Sequence, residues 1–387
     1  MIAALDVDLA YPLTDGDIAV NNLESARLHS WSRFWRDPLR EQAAESIVDQ
    51  EQLAAQFLGD LAAFDRCDTL VRHCDRVDAE SPRTALIHAQ VASMAHRFAE
   101  AKRYLETIAD CGGLSDAGKR LSLSIDQAWG TDLEAVLEAR RRISAKSGRL
   151  EDLIPLAALL ADLREFDEAD QVYQRGLKEY HDTSPFPVAW GCFQLGVLWG
   201  ELMPEAQSNR AEYWYRKAIE YLPCYVKARV HLAEVYLGYG RTKEAEALLL
   251  PAIPSGDPEV HWRLADVLAK MGRVADAEAQ MQTARSGFEA LLEKHLLAFA
   301  DHGAEFYSGS GNDRRRAFEL ATVNLANRPT LRAFEQAYEA AVAAGESERA
   351  ARIVAAAEER WGAARAFRSS QFAESHAGKS ESKGATA

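Results

Sequence analysis

The residues best suited to hold a metal are Cys67, His73 and Cys74, with His88 and His96 following. Thiolate and imidazole are the usual ligands of zinc. Cys67 and Cys74 lie seven residues apart, two helical turns, so a helix would put both on one side. The close chelating pair of a zinc knuckle is missing, because no Cys-x-x-Cys occurs in the chain. Core or surface packing is therefore the expected role of this cluster, with no metal and no cofactor; metal binding is the alternative. The five cysteines, Cys67, Cys74, Cys111, Cys192 and Cys224, are odd in number and read as reduced thiols rather than a disulfide framework.

Catalytic patterns are absent. The chain has no G-x-x-x-x-G-K-[ST] loop, no G-x-G-x-x-G after a strand, no H-E-x-x-H and no G-x-S-x-G. Ser308-Gly-Ser-Gly-Asn-Asp313 is glycine-rich but flanked by helical patterns, so it reads as a turn insertion and not as a phosphate cradle. Glu358-Glu359 reads as a solvated helix face, and His261 and His295 as packing or surface residues. Two basic runs, Arg140-Arg141-Arg142 and Arg314-Arg315-Arg316, fall on helical patterns and are expected to be ion-paired or solvated. The chain is therefore not expected to be an enzyme.

Charge narrows the field further. A net charge of −14 argues against binding duplex nucleic acid, which needs a dense cationic surface. Hydrophobic residues make up 48 % and charged residues 27 %, the balance of a folded soluble chain. No apolar run approaches the roughly 20 residues that span a bilayer. The opening residues carry Asp6 and Asp8 where a signal peptide is apolar, so no membrane insertion and a cytoplasmic location are expected.

The elements that must position any site come from a repeat. In 227–251, Leu232, Ala233 and Tyr236 recur at helical spacing, Gly240 breaks the pattern, and Ala245 and Leu249 begin a second helix. The next segment repeats this with Leu264, Ala265 and Leu268, then Gly272, then Ala277, Met281 and Ala284. The small residue near the start of each second helix falls at Ala101, Ala135, Ala169, Ala211, Ala245, Ala277, Ala317 and Ala350. Successive gaps are 34, 34, 42, 34, 32, 40 and 33 residues, and the two long ones coincide with loop-like insertions at 202–209 and 308–312. Two helices of about 12–15 residues and two short turns use about 34 residues. A lone hairpin cannot cover its apolar face, so such units must stack.

This series resembles the tetratricopeptide repeat family, most closely at Trp190, Ala211, Tyr215, Ala218 and Pro223 and across 226–286. The resemblance implies an all-α fold, a right-handed α-α superhelix of eight to nine helical hairpins. Three segments are expected: 1–47 as a lead-in and capping helix, 48–367 as the repeat array, and 368–387 as a disordered tail. Residues 17–36 read as a helix with Trp31, Phe34 and Trp35 on one side, either a cap or a self-association surface.

By the same resemblance, a peptide or partner protein would bind along the concave face made by the first helix of each unit. That face is expected to include Gly191, Leu195 and Trp199, then Val230, Glu234 and Leu237, then Trp262, Asp266 and Lys270, and downstream Glu335 and Glu339. Trp199 and Trp262 carry two readings, exposed anchors beside carboxylates or packing against the adjacent unit. The carboxylate clamp of family members that act as co-chaperones is not expected, since Val230, Glu234, Arg263, Phe299 and Gly303 stand at the corresponding places. The leading expectation is a non-catalytic cytoplasmic scaffold or adaptor. The alternative is an accessory subunit, enzyme or chaperone holding a metal or small ligand at a repeat interface.

Overall fold

The computed structural model describes residues 9, 11–368, 370 and 372. Among them every regular element is helical. The chain runs α1 (Gly16–Arg36), α2 (Ala43–Leu53), α3 (Ala63–Asp78), α4 (Pro82–Met94), α5 (Phe98–Asp110), α6 (Asp116–Trp129) and α7 (Leu133–Ser147). It continues through α8 (Leu150–Asp162), α9 (Phe166–Lys178), α10 (Pro185–Val197), α11 (Ser208–Tyr221), α12 (Val226–Gly238) and α13 (Thr242–Leu249). The last elements are α14 (Pro258–Lys270), α15 (Val274–Ser308), α16 (Arg314–Asn327), α17 (Leu331–Ala343), α18 (Ser347–Trp361) and the short α19 (Arg365–Arg368). After α1, successive helices pair as antiparallel hairpins in an α-α superhelix.

One turn recurs. In six hairpins a residue in the left-handed region ends the first helix, and the next N–H reaches back to close it. The bonds are Arg97 N to Ala92 O, Thr131 N to Asp126 O, Glu165 N to Leu160 O, Arg241 N to Tyr236 O, Arg273 N to Leu268 O and Glu346 N to Ala341 O, all 2.7–2.9 Å. Glycine holds the left-handed place in four of them; His96 (φ 55°) and Arg164 (φ 62°) hold it in the other two. The recurring small residue fulfils its packing role, since Ala101, Ala169, Ala211, Ala245 and Ala317 are all buried. Ala135 is the exception and is exposed. Asp132 caps α7 by accepting from Ala135 N, and in that register Val136 faces the core instead.

The seventh and eighth hairpins are fused. α15 is 35 residues long and bends only at His295 (φ −132°, ψ 49°), so it serves as the second helix of one unit and the first of the next. The insertion at 202–209 follows a π turn, Leu198–Leu202, that extends α10 inward.

The superhelix also turns far enough to touch itself. Lys294 Nζ and His295 Nε2 lie 2.8 and 3.1 Å from the Asp65 carboxylate on α3, some 230 residues away. Asn327 Nδ2 donates to His96 O at 2.9 Å, Arg164 pairs with Glu335 at 2.9 Å, and Arg365 pairs with Glu165 at 2.8 Å. Trp361 covers the α6–α7 turn, where a Cβ on Gly130 would sit 3.1 Å from its ring. Near the start, Thr14 N donates to Thr183 O, and a Cβ on Gly16 would meet Tyr221 O at 2.7 Å. The lead-in and α1 thus dock beside α10 and α11, as well as over α2. The packed core continues past residue 367, because Ser370 and Phe372 are buried and Phe372 lies 5.6 Å from the Tyr338 ring. Of the tail expected over 368–387, residues 369, 371 and 373–387 lie outside the described residues.

Gly272 (φ 77°) has open space around its missing side chain. Gly272→Ala therefore isolates the backbone cost, expected to be about 1 kcal/mol in chemical denaturation. An unchanged midpoint would remove the left-handed turn from the account of how hairpins close.

Candidate binding lumen on the concave face

Because the superhelix closes on itself, its concave face is a partly enclosed lumen. Three chambers occupy it, of about 590, 500 and 520 Å³. Ser124 lines the first and second, Glu259 and His302 the second and third, and Glu201 and Arg332 the first and third, so the chambers are contiguous.

The first helices supply the walls at helical spacing. α12 contributes His231 and Glu234, α14 contributes Glu259 and Arg263, the second half of α15 contributes His302 and Glu305, and α17 contributes Arg332 and Glu335. These positions lie three or four residues apart, which places each pair on one helix face. Glu201 enters from the π turn after α10 and accepts from Tyr215 Oη at 2.8 Å and His231 Nδ1 at 2.6 Å. Arg263 lies across the Trp262 ring, 3.5 Å from its centroid, and pairs with Glu234 at 2.7 Å and Glu305 at 3.0 Å.

Of the residues the sequence singled out, Glu234 and Glu335 line the lumen. Trp199, Val230 and Trp262 do not: the two tryptophans take the packing reading rather than the anchor one, and Val230 is withdrawn from the lining. Val230 and Trp262 are 1 % and 2 % exposed, and Trp262 is packed against Phe306 at 5.4 Å and Phe288 at 6.2 Å. Trp199 is buried, donates to Asp170 at 2.8 Å and is covered by Arg210 at 3.1 Å from its ring. The error is one residue of helix rotation, about 100°. His231 and Arg263 take the lumen-facing places beside Val230 and Trp262. The overlooked signal is the polar stripe on each first helix, Glu259–Arg263 and His302–Glu305 among them. Asp266 is held by Ser310 Oγ at 2.6 Å, while Lys270 and Glu339 are exposed, and none of the three lines the lumen. Leu195 is buried, and Gly191 abuts Leu177.

The arginine runs divide. Arg141 pairs with Glu168, and Arg315 and Arg316 pair with Glu319 and Glu289, as expected of ion-paired surfaces. Arg140 is different. It is 7 % exposed, faces the largest chamber, and its one hydrogen bond goes to Ser124 Oγ at 3.3 Å. Burial lowers its guanidinium to about 10. Asp162 faces the same chamber, its carboxyl pushed up to about 6 by desolvation. Further buried atoms on the lumen walls have no protein hydrogen-bond partner: Gln90 Oε1, His96 Nδ1, Gln127 Oε1, Arg140 Nε, Arg263 Nε and Arg328 Nε.

The cysteine–histidine cluster is dispersed. Cys67 and Cys74 are buried in one apolar core with thiols raised to about 12 and 11, chiefly by desolvation. His73 packs edge-on against Phe34 and Trp35, while His88 stacks on Tyr104. Among the described residues no group of three or more candidate ligands is placed to hold a metal. Of the N-terminal aromatics, Phe34 is fully buried, Trp31 donates to Glu51 at 2.8 Å, and Trp35 is half exposed. No helix among the described residues is long and apolar enough to cross a membrane.

No protein-family model matches the chain, and no curated protein matches it. Solved structures similar to it include the APC/C hetero-tetramer Cut9–Hcn1, at 12 % identity and a TM-score of 0.34, covering 82 % of this chain and 52 % of that one. Another is the C-terminal part of a TPR repeat-containing protein from Cytophaga hutchinsonii, at 14 % identity and a TM-score of 0.31, covering 76 % and 98 %. This chain thus spans about half the length of the first. Overlaps this low carry no functional argument, and the helical-hairpin architecture rests on the chain's own geometry.

The Glu201–His231 pair sets a pH dependence. Burial opposes both charges, but their pairing prevails, lowering Glu201 to about 2 and raising His231 to about 9. The histidine contribution is full below its ordinary value of 6.5 and is lost as pH rises through about 9. The glutamate contribution is full above its ordinary 4.5 and is lost as pH falls through about 2. Glu201→Gln is thus expected to lower the thermal midpoint most between these windows, near pH 6, with the deficit shrinking above pH 9. A deficit independent of pH would contradict the pairing.

Proposed function

We propose that the protein is a non-catalytic interaction scaffold that binds an extended polypeptide segment inside the lumen. The observation that carries this reading is a narrow lumen whose walls hold unpartnered polar groups. A chamber of 500 Å³ equals a sphere about 10 Å across, no wider than one helix with its side chains. An extended strand, about 5 Å wide between hydrogen-bonding neighbours, fits that width. Such a segment carries an N–H and a C=O at nearly every residue. Gln90 and Gln127 each carry an unpartnered buried acceptor and Arg140 an unpartnered buried donor beside the first and second chambers, groups that a rotation of these side chains would present to the segment. The five free cysteines suit a reducing compartment such as the cytoplasm.

One observation favours a second reading, an accessory protein holding a small ligand between units. Buried Arg140 and exposed Asp162, the latter hydrogen-bonded to Gln127, carry opposite charges and face one chamber. A volume near 590 Å³ is in the range of small-molecule sites.

Selection of displayed random 12-residue peptides on the full chain distinguishes the two. Binders are expected whose affinity falls about tenfold on Arg140→Ala or Gln127→Ala, with helicity retained, and is unchanged by Trp35→Ala on the outer surface. Binders indifferent to both lumen substitutions would move the site off the lumen. No peptide binder, together with thermal stabilisation by a small-molecule library that Arg140→Ala abolishes, would favour the second reading.

A further inference from the structure

The third chamber holds an imbalance that its neighbours do not resolve. Four carboxylates line it: Glu201, Glu234, Glu259 and Glu305. Glu201 is served by His231 at 2.6 Å and by Arg332 at 3.8 Å. The other three share one guanidinium, Arg263, at 2.7, 3.8 and 3.0 Å respectively, and Glu234 also has His231 at 3.9 Å. Glu259 is the strained member. It is 6 % exposed, and its two nearest basic partners, the Arg263 guanidinium and the His302 imidazole, both stand at 3.8 Å, beyond hydrogen-bond distance. Its backbone N–H donates to Asp257 Oδ1 at 2.9 Å, and among the described residues no hydrogen bond reaches its carboxylate. Lys227 and His231 act on it only at longer range, and together these cations hold it ionised against burial. A buried ionised carboxylate without a donor is unfavourable unless something supplies one. Glu259 also borders the second chamber, so a side chain reaching it would come from a segment already in the lumen.

We propose that this chamber takes the basic side chain, lysine or arginine, of the polypeptide segment that occupies the lumen. The inference rests on the scaffold reading above and names the chemistry of its partner. A cationic head between Glu234, Glu259 and Glu305 supplies the donors that Glu259 lacks. Val235 and the half-exposed Tyr239 line the same chamber and give the methylene stem an apolar wall. An acidic side chain would meet Glu234, Glu259 and Glu305, whose nearby cations Arg263 and His231 are already paired, and be rejected.

Protonation gives a second readout. Burial pushes Glu234 up to about 7; Arg263 and His231 pull it down, and Glu259 and Glu305 add to the rise. At neutral pH Glu234 is part-protonated, and an incoming cation displaces that proton. Affinity for a basic segment should therefore rise with pH between 6 and 8, and binding should release protons.

The test uses the full chain and peptides selected on it at pH 7.5. The expected result is a lysine or arginine at one fixed position in the selected sequences. Replacing it by alanine, or making Glu259→Gln in the protein, weakens binding about tenfold, and affinity climbs from pH 6 to 8. If Glu259→Gln does not fold, Glu305→Gln, whose carboxylate is half exposed, takes its place with a smaller expected loss. Peptides that bind without a fixed basic residue, or that bind both glutamine variants as tightly as the parent, would overturn the inference and leave the scaffold reading standing. Failure to select any peptide would remove both.

Discussion

Asp65 on the third helix meets Lys294 and His295 across 230 residues of chain. That meeting requires the helical hairpins to complete a turn and bring the second half of the array onto the first. The first and second chambers depend on it, because their walls come from both halves of the array, whereas the third is walled by residues 200–332 alone. An open superhelix would present a solvated trough, in which polar side chains find water and charges are screened. The closed one partly shelters its first-helix stripes, so the same glutamates, histidines and arginines meet at 2.6–3.8 Å with less water between them. The bend in α15 falls at His295 itself, so the kink and the closing contact share a residue.

Closure also decides what the protein can hold. The contacts between the two halves are largely polar, and several are half exposed, such as Lys294 with Asp65 and Arg365 with Glu165. Exposed pairs of this kind contribute little stability individually. Apolar packing supports them at Phe64 against Phe299 and at Phe57 against Tyr225. Two left-handed turn residues that are not glycine, His96 and Arg164, stand at closure points, where they contact Asn327 and Glu335. Strained backbone kept at a contact is a recurring mark of functional geometry, and both residues also line the lumen.

The sequence made the hairpins legible because small residues and turn glycines recur near every 34 residues. It placed Ala101, Ala169, Ala211, Ala245 and Ala317 correctly in the core. It misplaced Ala135, where the Asp132 cap sets a register that buries Val136. It also put Trp199, Val230 and Trp262 in the groove. Large apolar side chains on a first helix are drawn into the interface with the next unit, and their polar neighbours one residue on are left facing inward. Closure itself was not legible. It depends on the accumulated rotation of nine stacked hairpins and on contacts such as Asn327 with His96, which no local pattern encodes. The fusion of two units through α15 escaped for a related reason, since a continuous helix leaves no turn residue to mark the boundary.

Zero-length coupling of amines to carboxylates, read by mass spectrometry on the monomer fraction, tests closure most directly and needs no substitution. Lys294 and Asp65 are both solvent-accessible and lie 2.8 Å apart. Lys102 and Asp126, 3.1 Å apart within neighbouring hairpins, provide the internal control. The expected result is a Lys294–Asp65 crosslink formed alongside the Lys102–Asp126 crosslink and suppressed in denaturant. Formation of the control crosslink without the long-range one would contradict a closed superhelix, and with it the partly enclosed lumen.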